Sequence, residues 1–148
     1  MMRYLLISFF LVSSAWAADR PNVLFIAVDD LRPVLGCYGD DIAVTPNMDK
    51  LARSGFVFER AYCQLAVCSP SRLSLITGRR PDSIRVWDLG THFRKAVPKA
   101  VTLPQLFKQN GYHTRSIGKI LHGSGSPSKD PVSWSVDPVY DVNRDPKF

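Results

Sequence analysis

The segment NVLFIAVDD, residues 22–30, is the most informative stretch of this 148-residue chain. Its uninterrupted apolar run, Val23 to Val28, is typical of a strand that is buried on both faces, as the strands of a parallel sheet are. The run stops at two adjacent acids, Asp29 and Asp30, which would lie at the carboxyl end of that strand. Open α/β sheets bind their ligands at this edge. The segment therefore predicts an α/β domain with an acidic site where the strand ends.

The rest of the chain alternates helical and strand-like patterns. Helices are predicted over 46–54 and 70–77, because each range begins with a proline that follows a capping residue, and a glycine follows its last residue. A third helix is predicted over 103–110, after a threonine cap. Aromatic and β-branched residues predict further strands at 56–62 and 113–117. The order β-α-β-α-α-β indicates a mostly parallel sheet sandwiched by helices, with too few elements to complete it.

Two stretches lack periodicity and are predicted to be irregular. Residues 79–100 are rich in Arg and Pro, and the chain from Gly123 onward is rich in Gly, Ser, Pro and Asp. We predict no further strand or helix after His122. The elements are too few to complete a parallel sheet, so the chain is expected to be truncated.

The first residues have the features of an export signal. Met1 to Arg3 is short and basic, and the apolar run at 4–12 is too short to span a bilayer. Ala15-Trp16-Ala17 is the pattern that signal peptidase cuts. We predict a signal peptide at residues 1–17 and a secreted or periplasmic protein with no membrane attachment after cleavage. An N-terminal membrane anchor is the alternative.

Charge and cysteine content suit an exported protein. A net charge of +6 favours a polyanionic partner such as a sulfated polysaccharide, and the scattered basic residues argue against nucleic acid. Three cysteines, an odd number, indicate that one is reactive, modified or paired with another chain. Cys63 and Cys68 lack the second half of a zinc site. We treat Cys37 and Cys63 as structural thiols, which could bridge if Cys68 is modified.

The strongest local motif is CSPSR at residues 68–72, which matches C-x-P-x-R. It follows the acidic pair at 29–30 and precedes GKILH at 118–122, which contains Lys119 and His122. This ordered combination resembles the type I sulfatases, the formylglycine-dependent branch of the alkaline phosphatase superfamily. Other stretches fit the same family: LGCYG at 35–39, TPN at 45–47, LA at 51–52 and FERAY at 58–62.

The resemblance covers about residues 20–122 and is closest to the iduronate-2-sulfatase-like members. VWD at 86–88, HFR at 92–94 and TLP at 102–104 carry this finer likeness. It implies an alkaline-phosphatase-like α/β fold and a sulfuric ester hydrolase acting on a sulfated carbohydrate. It also implies a maturation enzyme that oxidises the cysteine of the motif to formylglycine. Members of the family are much longer than this chain. The resemblance therefore implies that residues 18–148 are the N-terminal part of a sulfatase catalytic domain, truncated here, and we expect them to be inactive and poorly folded alone.

The resemblance assigns roles to six residues. Asp29 and Asp30 are expected to bind Ca²⁺, with Mg²⁺ as an alternative, together with the oxygens of the formylglycine made from Cys68. Arg72 lies one helical turn beyond Cys68 and is expected to hold the modified residue and the metal cluster. Two residues of the GKILH stretch complete the set: Lys119 is expected to contact the sulfate, and His122 to hydrogen-bond the formylglycine diol.

The chemistry of sulfate esters explains why this family uses an aldehyde. A hydrated aldehyde at position 68 offers two hydroxyl groups, of which one attacks sulfur and displaces the alcohol. The other then loses its proton, and the diol expels sulfate and regenerates the aldehyde. A plain serine would be left as a stable sulfate ester. A nucleophile placed just before a helix N-terminus is also favoured, because the helix dipole and free N–H groups attract an anion.

Two other functions remain open from the sequence. One is a phosphonate or phosphate monoester hydrolase of the same superfamily, some of which share formylglycine chemistry. The other is an inactive, truncated secreted fragment, because two carboxylates cannot supply the oxygen ligands that Ca²⁺ requires. In the irregular segment, four residues are further candidates for substrate contact: Trp87, Asp88, His92 and Arg94.

Overall fold

The computed structural model describes residues 20–122 and 129–140. Four α-helices lie in this part of the chain: α1 at Pro46–Ser54, α2 at Cys68–Thr77, α3 at Pro81–Ile84 and α4 at Leu103–Gln109. Two 3-10 turns occur at Gly36–Tyr38 and Phe93–Lys95. Helix α2 lies against α3 and α4, and α1 lies against the first 3-10 turn. The predicted signal peptide at 1–17 lies outside the described residues.

A proline begins α1, and a threonine side-chain cap begins α4. Helix α1 starts at Pro46 and gives way to Gly55, as predicted, and Thr102 accepts a hydrogen bond from the Gln105 N–H at 3.2 Å to start α4. Helix α2 differs from the prediction. Its first turn closes on the Val67 carbonyl, which accepts from the Ser71 N–H at 3.1 Å. Cys68 therefore lies within the first turn of α2 and not before it, because the chain becomes helical two residues earlier than expected.

The apolar core lies around one side of α2. Its buried residues are Leu73, Ile76, Ile84, Val86, Phe93, Ala100 and Leu121. Four of them come from residues 79–100, which the sequence predicted to be irregular. That prediction is wrong in part, since the segment contains α3 and the second 3-10 turn. Its apolar residues lie on successive short turns, so they share no helical or strand period although they share one core.

The predicted strands are not paired into a sheet within the described residues. Within the described residues, no main-chain hydrogen bond joins 22–28 or 56–62 to another segment. A single parallel bridge links Ile117 with Val139. Strands form only when a neighbouring backbone pairs with them, and this part of the chain offers such a neighbour only to 113–117.

The segment 135–139 provides that neighbour. The Ser135 N–H donates to the Thr114 carbonyl at 2.9 Å, and the Val139 N–H donates to the Ser116 carbonyl at 3.1 Å. The Gly118 N–H returns a bond of 2.7 Å to the Val139 carbonyl. This pairing is a single bridge and not a strand, so it does not contradict the prediction of no further strand after His122. A run rich in Ser and Pro carries little strand signal, and its pairing depends on a distant segment.

A buried polar cluster fixes residues 129–134 against the helices. Arg94 donates to both carboxylate oxygens of Asp130, at 2.5 and 3.0 Å, and to the Ala100 carbonyl at 2.8 Å. Ser133 donates to Asp130 and lies 2.5 Å from the Thr102 hydroxyl. Asp130 is almost completely buried. The negative charge of Asp130 is compensated because the Arg94 guanidinium donates to both of its carboxylate oxygens.

The stability of the fold should depend on pH through protonation of the Asp130 carboxylate. Burial acts to raise the pKa of Asp130, but hydrogen bonds from Arg94 and Ser133 and the charge of Arg94 bring it below its ordinary value. The pair therefore stabilises the fold above the unfolded-state pKa, about 3.9, and the contribution is lost as pH falls through the lower folded-state pKa. Asp130→Asn should lower the thermal midpoint at neutral pH and flatten its acid dependence, measured by circular dichroism. The exposed Asp137→Asn is the control, and an unchanged acid dependence in Asp130→Asn would contradict the assignment.

The exposed segment 56–62 and the apolar core should differ in protease resistance. Phe56, Phe58 and Tyr62 are 94%, 72% and 79% exposed, whereas Phe93 is fully buried. Chymotrypsin accepts all of them as cleavage sites, so they serve as matched probes in one chain. We predict cleavage after the three exposed residues at least about tenfold faster than after Phe93, because only Phe93 needs opening of the core. Peptide mass mapping over time measures the rates; equal rates would show that the core is not formed.

Candidate active site

Arg72 joins the elements of the site. It lies on the first turns of α2, and its side chain is only 11% exposed. One terminal nitrogen donates to the Asp29 carboxylate at 2.9 Å. The other donates to the carbonyl oxygens of Lys119 and of Ile120, the latter at 3.3 Å. The planar guanidinium can reach all three acceptors together, which the ammonium of lysine could not do with the same geometry.

Asp29 lies between two cations. One carboxylate oxygen accepts from Arg72, and the other accepts from the Lys119 ammonium. Hydrogen bonds from Lys119 and then from Arg72 hold the pKa of Asp29 below its usual value. The hydrogen bond to Asp29 likewise raises the pKa of Lys119. Both groups are consequently charged at neutral pH.

The backbone at Asp30 turns two adjacent acids toward the same side. Neighbouring side chains on a strand point to opposite faces. Asp30 has φ of 52°, in the left-handed region that Asp tolerates better than most residues. This breaks the alternation at the end of the segment. One ligand atom each of Asp29, Asp30 and Cys68 lies within 4.8 Å of the others.

This group suits a hard cation in part. Carboxylate oxygens are the ligands that Ca²⁺ and Mg²⁺ take, whereas the thiol of Cys68 is a soft ligand that neither prefers. Conversion of the cysteine to an aldehyde hydrate would replace sulfur by oxygen at the same place. The residues therefore fit Ca²⁺ when position 68 is converted. Two acids and one oxygen are fewer than the about six to eight ligands of Ca²⁺, so further oxygen atoms must join them.

His122 lies at the border of the described residues. Its ring is half-buried, and its buried Nδ1 has no hydrogen-bond partner among residues 20–122 and 129–140. Its backbone follows Leu121, which belongs to the core. His122 therefore lies close along the chain to the two carbonyls that accept hydrogen bonds from Arg72.

The remaining cysteines are free. Cys37 is half-buried in the first 3-10 turn, Cys63 is exposed, and neither forms a disulfide. The Cys37–Cys63 bridge was predicted only for a converted Cys68, so it stays a prediction. Cys68 is also a free thiol, half-buried at the start of α2.

The structure changes the role of one candidate substrate contact and adds contacts that the sequence did not predict. Arg94 is committed to Asp130 and to backbone carbonyls, so it is structural. The carboxylate of Asp88 accepts from the Gly90 and Thr91 N–H groups in its own loop. Arg72 was expected to hold the metal cluster, but its bonds to the carbonyls of 119–120 had no signal in the sequence. They join residues more than 40 positions apart, and no local pattern encodes such pairs.

The chain belongs to the Sulfatase family, whose sequence profile matches residues 21–143. This confirms the resemblance seen in the motifs and implies an alkaline-phosphatase-like α/β fold. The chain is 48% identical over 125 residues to "Iduronate 2-sulfatase" of Homo sapiens, covering 82% of this chain and 23% of that protein. It is 39% identical over 111 residues to "Sulfatase" of Formosa agariphila, covering 70% of this chain and 22% of that protein.

More distant members show the same relationship at lower identity. "N-acetylgalactosamine-6-sulfatase" of Canis lupus familiaris is 33% identical over 137 residues, covering 85% of this chain and 26% of that protein. The higher identity to iduronate 2-sulfatase agrees with the finer likeness of residues 86–104. The chain spans about a quarter of the length of the curated relatives that it matches. No helix in the described part of the chain is long and apolar enough to cross a membrane.

The closeness of Asp30 to Cys68 can be tested without any activity. In a chain with Cys37→Ser and Cys63→Ser, made without a maturation enzyme, Asp30→Cys should form a disulfide with Cys68 on mild oxidation, because their ligand atoms are near each other. Mass mapping of the joined peptides measures the yield. Asp41→Cys in the same background is the control. A yield no higher for Asp30→Cys than for Asp41→Cys would contradict the geometry.

Proposed function

We propose that this chain carries the nucleophile and part of the metal site of a sulfuric ester hydrolase. Its substrate would be a sulfated carbohydrate of the iduronate 2-sulfate type. The observation that carries the proposal is the convergence of Asp29, Asp30 and Cys68 within 4.8 Å, with Arg72 and Lys119 bonded to Asp29. The names of the relatives favour sulfate over phosphonate or phosphate esters, since each of those reported is a sulfatase.

Position 68 would act after conversion to formylglycine. A hydrated aldehyde supplies a hydroxyl that attacks sulfur and a second hydroxyl whose deprotonation releases sulfate. The location of Cys68 in the first turn of α2 suits this role, because Val67 provides no side-chain cap. Free N–H groups at a helix N-terminus and the helix dipole favour an anion there.

Lys119 and Arg72 would handle charge around residue 68. Lys119 is 37% exposed on the side chain, and its raised pKa keeps it cationic, so it can hydrogen-bond a sulfate oxygen while it remains beside Asp29. Arg72 is mostly buried and bonded to backbone carbonyls. It would therefore position Asp29 and the segment that carries Lys119, and not bind substrate directly. Preorganised cations of this kind favour a transition state with charge on its oxygens.

Asp29 and Asp30 would hold a calcium ion together with an oxygen of residue 68, with Mg²⁺ as the alternative. The ion would neutralise charge on the sulfate and on residue 68. In this arrangement the two acids act only as ligands. His122, half-buried and without a partner for Nδ1 in the described part of the chain, would hold the proton of the residue-68 hydroxyl.

The proposal includes a cellular setting. The segment 1–17 would direct export, giving a secreted or periplasmic protein with no membrane attachment and no role with nucleic acid. A formylglycine-generating enzyme would be the maturation partner. Because the relatives are about four times longer, we expect the whole activity to need polypeptide that they carry outside the matched region, and residues 18–148 alone to be inactive.

Conversion of Cys68 is the direct test of the proposal. Trypsin should release Ala61–Arg72, which contains both Cys63 and Cys68. After co-expression with a formylglycine-generating enzyme, we predict that residue 68 loses H₂S and gains one oxygen atom, as fragment-ion mass spectrometry would show. Cys63 in the same peptide is the internal control and should remain a thiol. A thiol at 68, under conditions in which a known substrate peptide is converted, would remove the proposed nucleophile.

A further inference from the structure

The short helix α3 is flanked by exposed arginine side chains. Arg79 and Arg80 precede α3, and Arg85 follows it. Within the described part of the chain, none of these three guanidinium groups has a hydrogen bond or an ion pair. By contrast, Arg72 and Arg94 are each bonded to a carboxylate and to main-chain carbonyls. The three arginines around α3 therefore keep all their donors for an anion from solvent.

The apolar core lies directly beneath these arginines. Ile84 and Val86 are fully buried, whereas Arg85 and Trp87, which alternate with them, are exposed. A hydrogen bond of 3.2 Å from the Ile84 N–H to the Arg80 carbonyl fixes the turn between the arginines. Arg85 has a left-handed backbone, with φ of 53°, which is uncommon for a residue with a long side chain. Backbone strain of this kind occurs most often at functional positions.

Trp87 adds a flat apolar surface beside the arginines. It is 54% exposed, and its indole N–H donates to the Asp82 carboxylate at 3.1 Å, so the ring is oriented by its edge. The other acid of this segment, Asp88, accepts hydrogen bonds from N–H groups of its own loop. Residues 79–99 contain six basic residues and two acidic ones, so the segment attracts anions. We use the term arginine face for Arg79, Arg80, Arg85 and Trp87.

The arginine face lies at the opposite end of α2 from the reactive position. Cys68 begins this helix of ten residues, and Arg79 follows its end at Thr77 after one glycine. Such a helix is about 15 Å long, because each residue adds about 1.5 Å. An anion on the arginine face is therefore a different group from the sulfate at residue 68.

A sulfated glycan chain has the chemistry that this face can bind. A guanidinium group donates two parallel hydrogen bonds to two oxygens of one oxyanion, and a sulfate group offers such oxygens. An indole ring presents a large apolar face, against which the C–H groups of a sugar ring can pack. Repeated sulfate groups along one chain would reach several arginines together, as a single sulfate would not.

We propose that the arginine face is a second binding site for sulfated glycan, which holds a part of the chain distant from the sulfate being removed. The choice of ligand rests on the proposed function, whereas binding at this face needs neither formylglycine nor a metal ion. Only a ligand of several sugars would reach both sites. The substrate class is accordingly a sulfated oligosaccharide or polysaccharide, and not a sulfated monosaccharide.

The test is binding of a sulfated hexasaccharide prepared from heparin, measured by isothermal titration calorimetry. The whole chain carries Cys68→Ala, so that no reaction takes place. Replacing all three arginines of the face by glutamine should weaken binding at least about tenfold, because charged hydrogen bonds are lost. The control chain loses the same charge from exposed residues elsewhere, through Arg32→Gln, Lys50→Gln and Arg60→Gln. It should bind within about twofold of the parent, because distant exposed charges are screened by salt.

The contribution of the indole ring has its own matched pair. Trp87→Ala should weaken binding of the hexasaccharide about fivefold, since the apolar surface beside the arginines is lost. Leu89→Ala removes an apolar side chain of similar exposure, 48%, from the same loop and should leave the affinity nearly unchanged. The chymotrypsin resistance of Phe93 shows in each variant that the core beneath the face is intact.

A second measurement needs no substitution in the face. Phenylglyoxal modifies exposed arginines, and mass mapping of peptides gives the rate at each position. With the hexasaccharide at about ten times its Kd, modification of Arg79, Arg80 and Arg85 should slow about tenfold, because the bound fraction is protected. Modification of Arg32 should continue at its original rate.

Four results would overturn the proposal. They are no binding of the hexasaccharide, an equal loss of affinity in the control chain, no protection of the three arginines, and equal affinity for a desulfated hexasaccharide or a single-stranded DNA. Equal affinity for DNA would make the face a general polyanion site. Failure of the proposed function would appear elsewhere, as an unconverted thiol at position 68, and would leave these affinities unchanged.

Discussion

The guanidinium of Arg72 ties together three parts of the chain that are distant in sequence. It extends from α2 to the carboxylate of Asp29 and to the carbonyls that follow residue 118. Cys68, Asp29 and Lys119 are neighbours as a result. Arginine suits this position because its fixed fork of donors serves a carboxylate and two carbonyls together, and because its charge does not depend on pH. The site has its present form only while these contacts hold.

The site spans a well-packed region and an open one. Cys68 and Arg72 lie on α2, around which the core is built, and Lys119 precedes Ile120, which packs against that core. Asp29 and Asp30 instead end a segment whose apolar side chains are exposed. The Lys119–Asp29 pair joins two partly exposed groups and contributes little net stability, so Asp29 is held mainly through the nearly buried Arg72. Within the described residues, the acidic side of the site is thus joined to the core through Arg72 and not through packing of its own segment.

Features that depend on a few neighbouring residues were predictable from the sequence. Thr102 as a cap, Pro46 as a first helical residue and the C-x-P-x-R motif of the family were all found as expected. Features that depend on distant partners were not. The core role of residues 79–100 and the pairing of 113–117 with 135–139 both arise from tertiary contacts. For the site, the sequence identified the residues, but the joining of Asp29 to both Arg72 and Lys119 required the structure.

We propose that Cys68 and its neighbours work as the reactive part of a sulfatase. The most direct measurement is sulfate release by human iduronate 2-sulfatase in which the region matching this chain is replaced by the corresponding residues of this chain, co-expressed with a formylglycine-generating enzyme. We predict that the chimera releases sulfate from an iduronate 2-sulfate substrate and that this release depends on calcium. Cys68→Ala should abolish the release, and Cys63→Ala should leave it intact. A folded chimera that releases no sulfate, or one whose activity survives Cys68→Ala, would contradict it.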